Sequence, residues 1–264
     1  MRAGFAALVF ACVARAAFSQ TVSPPQPEEP AANPGRPTIA TPATLTPVGY
    51  VQLENGILVG HKSEEFKTLF NINQVTKLAV HPRLEFIGQF QPVAWSEGEG
   101  ASRYTNYAGG ISVGAQVLLY QGQGARPTIA ASFIQSAYAG DAPDLDIGSA
   151  RQSVLALASF DFGAFHVDAN AMFNSQVGDS RKAQYGQTIS IAHPFKKTTI
   201  VCELWHFTQP LDNARADGML WAVSFGPNKH LIYDVGFDVG LTSTSTHWEY
   251  FGGFTYLIPH RLWK

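Results

Sequence analysis

His166 and Asp168 stand two residues apart in the segment Phe165-His166-Val167-Asp168-Ala169-Asn170-Ala171-Met172-Phe173-Asn174. In an extended chain successive side chains point to opposite faces, so this spacing sets an imidazole, a carboxylate and the Asn170 amide on one face. A histidine oriented by an aspartate is the base half of a hydrolase site, and it needs a nucleophile within hydrogen-bond reach. No serine can be assigned to that role from residue order. The chain has no Gly-x-Ser-x-Gly elbow, no His-Glu-x-x-His and no Cys/His metal spacing. It is therefore expected to be no enzyme, with no catalytic residue, no metal and no cofactor, and a barrel hydrolase is the least favoured alternative.

The other use for such residues is to line a passage, and the elements around them suit that use. In Leu231-Ile232-Tyr233-Asp234-Val235-Gly236-Phe237-Asp238-Val239-Gly240-Leu241 one parity is Leu, Tyr, Val, Phe, Val, Leu and the other is Ile, Asp, Gly, Asp, Gly. Two faces with such different composition meet different solvents. From about residue 49 onward no helical period occurs, and about twelve alternating segments do, which is the strand signature. They run over 50–59, 66–77, 82–92, 107–120, 126–139, 149–160, 163–175, 184–194, 197–208, 217–227, 230–241 and 247–258. Their connections alternate between tight turns, such as Phe195-Lys196 and Asn228-Lys229, and longer polar stretches rich in Asp and Glu.

Short turns at one end, longer loops at the other and an even number of strands form the pattern of an outer-membrane barrel. The expected fold class is thus all-β, a membrane-spanning antiparallel up-and-down β-barrel. Aromatics support two interfacial girdles, with Tyr107, Tyr138, Phe173, Tyr185, Phe207 and Trp248 toward the loops and Tyr120, Phe160, Phe195, Phe225, Tyr233 and Tyr256 toward the turns. A soluble lipocalin-like carrier is the competing all-β architecture. In it the Phe165/Val167/Ala169/Ala171/Phe173 stripe would face a ligand cup.

Charged residues make up 14% of the chain, against roughly 25% in ordinary globular proteins. A formal net charge of −2 and the lack of Lys/Arg blocks leave no field for nucleic acid. Arg2, the apolar run Phe5 to Val13 and the small residues before Gln20 fit a secretory signal over 1–19. Residues 20–48 carry Pro24, Pro25, Pro27, Pro30, Pro34, Pro37, Pro42 and Pro47 and are expected to be an extended, disordered periplasmic leader, with the barrel over 49–264. Whether that leader plugs the lumen or reaches a periplasmic partner is left open by the sequence. Cys202 shares its parity with Ile200 and Leu204, which suggests an inert lipid-facing thiol.

Several motifs carry a family resemblance. Arg36-Pro37-Thr38-Ile39-Ala40-Thr41-Pro42 followed by Pro47-Val48-Gly49-Tyr50-Val51-Gln52-Leu53-Glu54-Asn55-Gly56 resembles the start of outer-membrane proteins grouped as "MetA-pathway of phenol degradation" or described simply as transporters. Pro82-Arg83-Leu84-Glu85-Phe86, Val201-Cys202-Glu203-Leu204 and Asp234 to Leu241 agree with it, so the likeness spans nearly the whole mature chain. It implies a transmembrane barrel with a transport role and no defined substrate. The chain departs from many such barrels by ending Leu262-Trp263-Lys264 where they end on an aromatic residue, which bears on how the assembly machinery reads the C-terminus.

With the apolar parity toward lipid, Glu54, Arg83, Glu85, His166, Asp168, Asn170, Glu203, Asp234 and Asp238 become the lumen and solute-binding candidates. About twelve strands give a passage that is narrow or plugged. The expected function is a passive channel for small solutes, aromatic or cationic ones included, in the bacterial outer membrane. Its expected partners are outer-membrane lipid and lipopolysaccharide, a small-molecule solute and the barrel-assembly machinery. The alternative is a closed structural or ligand-binding barrel, in which the same charges neutralise one another because unpaired buried charge is costly.

Overall fold

The computed structural model describes residues 29–98, 105–107, 109–140, 143, 146–147, 150–177, 182–209 and 214–263. The expected signal segment, 1–19, lies outside them. Strand formation follows the alternation in the sequence. In chain order the strands are β1 (Val51–His61), β2 (Thr68–His81), β3 (Leu84–Glu97), β4 (Thr105–Tyr107), β5 (Ile111–Tyr120), β6 (Thr128–Tyr138) and β7 (Ala150–Phe162). They continue as β8 (Phe165–Val177), β9 (Gln184–Phe195), β10 (Thr198–Gln209), β11 (Ala214–Asn228), β12 (Leu231–Gly240) and β13 (Trp248–Leu257).

Every long strand pairs antiparallel with its neighbours in sequence, and β1 pairs with β13 from Gln52↔Leu257 to His61↔Trp248. Three-residue β4 joins only the end of β3, so the other twelve strands form one closed barrel. Closure satisfies the backbone of every strand without an open edge, which a bilayer interior demands. This is the fold class the sequence predicts, and the strand limits differ from those expected by only a few residues.

Outside, the wall is apolar. Val235 is 63% exposed and Leu204 50%, and Val113, Ile189, Trp221 and Phe237 point the same way. So large an exposed apolar surface on a water-soluble protein would be an aggregation site. Phe165 and Phe173 also face outward, so the stripe they belong to does not line a cup and the soluble-carrier alternative is excluded. Tyr138, Phe173, Tyr185 and Trp248 at the loop end, with Tyr120, Phe195, Phe225 and Tyr233 at the turn end, are exposed as girdles require. Phe207 departs from its expected place. It is wholly buried inside the barrel beside Trp205 and Ala216, and the side chain of Tyr107 lies outside the description.

Inside, polar residues face the lumen on most strands. β3 keeps this order by a bulge. Ile72 pairs with Val93 and Gln74 with Phe90, so β3 holds an extra residue around Pro92, where no amide is available for the ladder. The bulge switches parity, and Phe86, Phe90 and Trp95 all reach the exterior while Glu85 and Ser96 stay inside.

Both chain termini of the barrel and its tight turns share one end. Gly163 opens the β7–β8 turn with φ of 64°, a left-handed conformation that glycine adopts without strain. We expect Val235→Arg, midway along β12 on the outer face, to cost about 2–4 kcal/mol in lipid vesicles. Urea unfolding in vesicles would measure it. A cost near zero would mean that this face does not meet lipid.

Candidate functional site

The leader expected to be unpacked runs inside the barrel over much of its described length, with Glu29, Ala31 and Thr44 left exposed. Over 29–48 it enters at the turn end, rises to mid-barrel and returns to start β1. Ala32 N–H donates to the Lys229 carbonyl at 2.8 Å, and Lys229 Nζ meets Glu29 at 2.7 Å on the rim. Ala40 and Ala43 have no exposed surface, and Thr46 has 3%. A peptide without a neighbouring strand still needs acceptors for its amides. The lumen wall supplies them.

Glu203, midway along β10, accepts the amides of Ile39 at 2.8 Å and Ala40 at 2.7 Å, one on each carboxylate oxygen. On β8, Asn170 closes a two-way bridge, accepting from Thr41 N at 2.6 Å and donating to the Thr41 carbonyl at 3.0 Å. Ser159 Oγ on β7 accepts Ala43 N at 2.7 Å, and Glu85 Oε2 on β3 accepts both Thr46 N, at 2.8 Å, and the Thr46 hydroxyl. Nearer the turn end, Gly35 N donates to Glu54 at 3.1 Å and Asn33 exchanges two hydrogen bonds with Gln52 at 2.7 Å each. Pro34, Pro37, Pro42 and Pro47 have no N–H to satisfy. This makes a proline-rich sequence well suited to a lumen.

Arg36 anchors the ascent. Its guanidinium grips Asp234 on β12 through Nε at 3.1 Å and Nη2 at 2.9 Å, the two-pronged geometry that suits arginine. The niche exists because β1 has Gly56 there. A Cβ on Gly56 would stand 2.1 Å from Arg36 Nη1. Lys77 on β2 pairs with Glu54 at 2.6 Å, both nearly fully buried.

The remaining predicted residues lie elsewhere. Arg83 is buried on the β2–β3 turn and not within β3. It therefore sits at the turn-end mouth of the barrel. His166, also toward the turn end, lies 2.7 Å from Asp161 and 3.3 Å from Asp168. Asp168 takes its hydrogen bond from the Ser159 hydroxyl, so that serine is turned toward the acid. The order serine, acid, histidine does not pair a nucleophile with its base. Asp238 stands at the loop end with Trp205 Nε1 donating to its Oδ2 at 2.6 Å.

The segment divides the lumen. A cavity of about 440 Å³ lies on the loop side, reaching Ile39, Trp205, Asp238 and Glu249. Another of about 540 Å³ lies on the turn side, bounded by leader residues, His166, Lys196, Lys197 and Lys229. The first is acidic and the second largely basic. Sequence reasoning missed Arg36, Lys77, Trp205, Asp146 and Glu249 as lumen groups. Parity offered a signal for two of them, since Lys77 shares its strand face with Asn71 and Trp205 shares its own with Glu203. Of the loop acids, Glu99, Asp141, Asp144, Asp179 and Asp212 lie outside the described residues.

Asp146, in the β6–β7 loop, is 6% exposed and accepts Thr246 N at 3.0 and 3.3 Å. Burial raises its carboxyl from 3.8 to about 6 against those hydrogen bonds.

No protein-family model matches this chain, and neither does any curated protein. Solved structures do share the fold. An outer membrane channel from Pseudomonas putida F1 superposes with a TM-score of 0.59 at 14% identity, over 82% of this chain and 98% of that one. The KdgM porin, solved in complex with disordered oligogalacturonate, gives 0.52 at 13% identity over 78% and 98%. The translocator domain of the autotransporter NalP from Neisseria meningitidis gives 0.50 at 8% identity over 80% and 89%. At such identities the likeness shows the fold alone, a closed antiparallel β-barrel of the outer-membrane type.

Two outcomes follow from the site. Glu203→Ala strips the acceptor from two amides, a loss of about 3 kcal/mol in docking the segment. Hydrogen exchange at Ile39 and Ala40 should then quicken by about two orders of magnitude while the barrel stays folded. For Asp146, the folded state holds a proton between about pH 4 and 6 that the unfolded chain has released, so stability falls as pH rises through that window. The fall is about 3 kcal/mol at most. Urea unfolding from pH 4 to 7 should show a shallower fall in Asp146→Asn than in the native chain, and equal slopes in the two would remove Asp146 from the effect.

Proposed function

We propose that the protein is a passive channel of the bacterial outer membrane for small polar solutes, with a bore set by its own N-terminal segment. The observation that carries this is the pair of lumen cavities, one on each side of residues 36–42 in a barrel that is apolar outside. A twelve-stranded wall lies between barrels filled by side chains and barrels holding open channels, so one extra peptide decides how much bore is left. The apolar belt would contact membrane lipid and the longer loops the lipopolysaccharide leaflet. Barrel-assembly machinery would insert the chain.

On this proposal the nine candidate lumen residues divide in role. Glu54, Glu85, Asn170, Glu203 and Asp234 fix the segment, so they act on solutes through the bore they define. Asp238 faces the loop-side cavity directly, His166 and Asp168 the turn-side one, and Arg83 the turn-side mouth. A second reading, a closed binding barrel, draws on the complete burial of Ala40 and Ala43.

Conductance in planar bilayers separates them. The refolded full chain, folded by heat-modifiability gel, should give small discrete steps, and deletion of residues 29–46 should raise the step several-fold. A silent full chain that conducts only after the deletion would favour the closed barrel. Silence in both would end the channel proposal.

A further inference from the structure

The loop-side cavity contains an arrangement of charge that a closed ladder does not require. Asp238 of β12 pairs directly with Glu249 of β13, and both line the cavity. Two like charges directly opposite on neighbouring strands repel. Asp146 lines the same space, close enough to both to interact electrostatically. Among the described residues, no lysine or arginine lines the cavity to offset these acids. Arg36 and Lys77 are committed below, to Asp234 and Glu54.

A second observation points to a ligand. Asp238 is only 4% exposed, and while Oδ2 accepts the Trp205 indole N–H, Oδ1 is buried with no hydrogen-bond partner. A buried carboxylate oxygen without a partner is costly, and a donor brought by a guest would relieve it. Trp205 itself, 4% exposed, forms part of the cavity wall, and an aromatic wall beside carboxylates suits a cation with an apolar body. Among the described residues, no three acidic or imidazole groups converge closely enough to ligate one metal ion. The cavity, at about 440 Å³, falls within the volume range of small-molecule sites.

We propose that this cavity binds a small organic cation, a primary ammonium on an apolar body, with its N–H donors on Asp238 and Glu249 and its body against Trp205. The inference names a solute class for the channel proposed above, and rests on that proposal only for the step from binding to passage.

Isothermal titration of the refolded full-length protein in detergent with benzylammonium tests it, with benzyl alcohol and benzoate as probes of the same shape. Benzylammonium should bind at least about ten-fold more tightly than benzyl alcohol, and benzoate should not bind. Asp238→Asn and Glu249→Gln, each confirmed folded by heat-modifiability, should each weaken benzylammonium about ten-fold or more. Glu97→Gln, which removes a charge at the loop end of β3 outside the cavity, should leave it unchanged. Equal binding of the alcohol, no binding of benzylammonium at millimolar concentration, or a folded Asp238→Asn that binds like the native chain would each overturn the site. A barrel that binds benzylammonium yet stays silent in bilayers would overturn the channel and keep the site. One that conducts without binding would do the reverse.

Discussion

A peptide running through a barrel lumen cannot join the sheet, because the strands on the wall have already used their own amides and carbonyls on one another. Its backbone must be satisfied by side chains or by water. Glu203 takes two consecutive amides, and Asn170, Ser159 and Glu85 take others from three further strands. These contacts fix the position of residues 36–46, and that position fixes where the lumen remains open. Cavity sizes, the separation of an acidic half from a basic half and the environment of Asp238 all follow from it.

Charge inside the barrel is arranged to make this contact affordable. Asp234 and Glu54 each have a paired cation, Arg36 and Lys77, while Glu203 and Glu85 are compensated by N–H and O–H donors of the segment. Such buried carboxylates would be costly without those donors. The segment and the wall are therefore mutually dependent. The loop-side acids lie outside this compensation, and that sets Asp238 and Glu249 apart from the rest of the lumen.

The barrel was legible in the sequence because alternation repeats over twelve strands and each repetition testifies to the same two-solvent wall. The separation of short turns from longer loops fixed its orientation in the chain, and Phe195, Phe225 and Tyr233 marked one membrane interface. Local errors came where geometry interrupts the period. Pro92 bulges β3, and Phe207, assigned to a girdle by its place near a strand end, turns inward beside Trp205. Parity identified Glu54, Glu203, Asp234 and Asp238 as lumen groups, but it could not say what each would touch.

By itself the sequence determined the fold class, the two faces of the wall and the polar character of the lumen, since a period of two is a local property that backbone geometry converts directly into sidedness. Only the tertiary structure decided that the proline-rich leader packs inside. Proline removes both helix and sheet from the choices of an isolated segment, so nothing local distinguishes an unpacked tail from a threaded one. The difference lies in acceptors more than a hundred residues away, at Ser159, Asn170 and Glu203, and in the absent side chain at Gly56 that leaves room for Arg36. Pairing of Asp238 with Glu249 is likewise a matter of register between strands, which closure of the whole barrel sets.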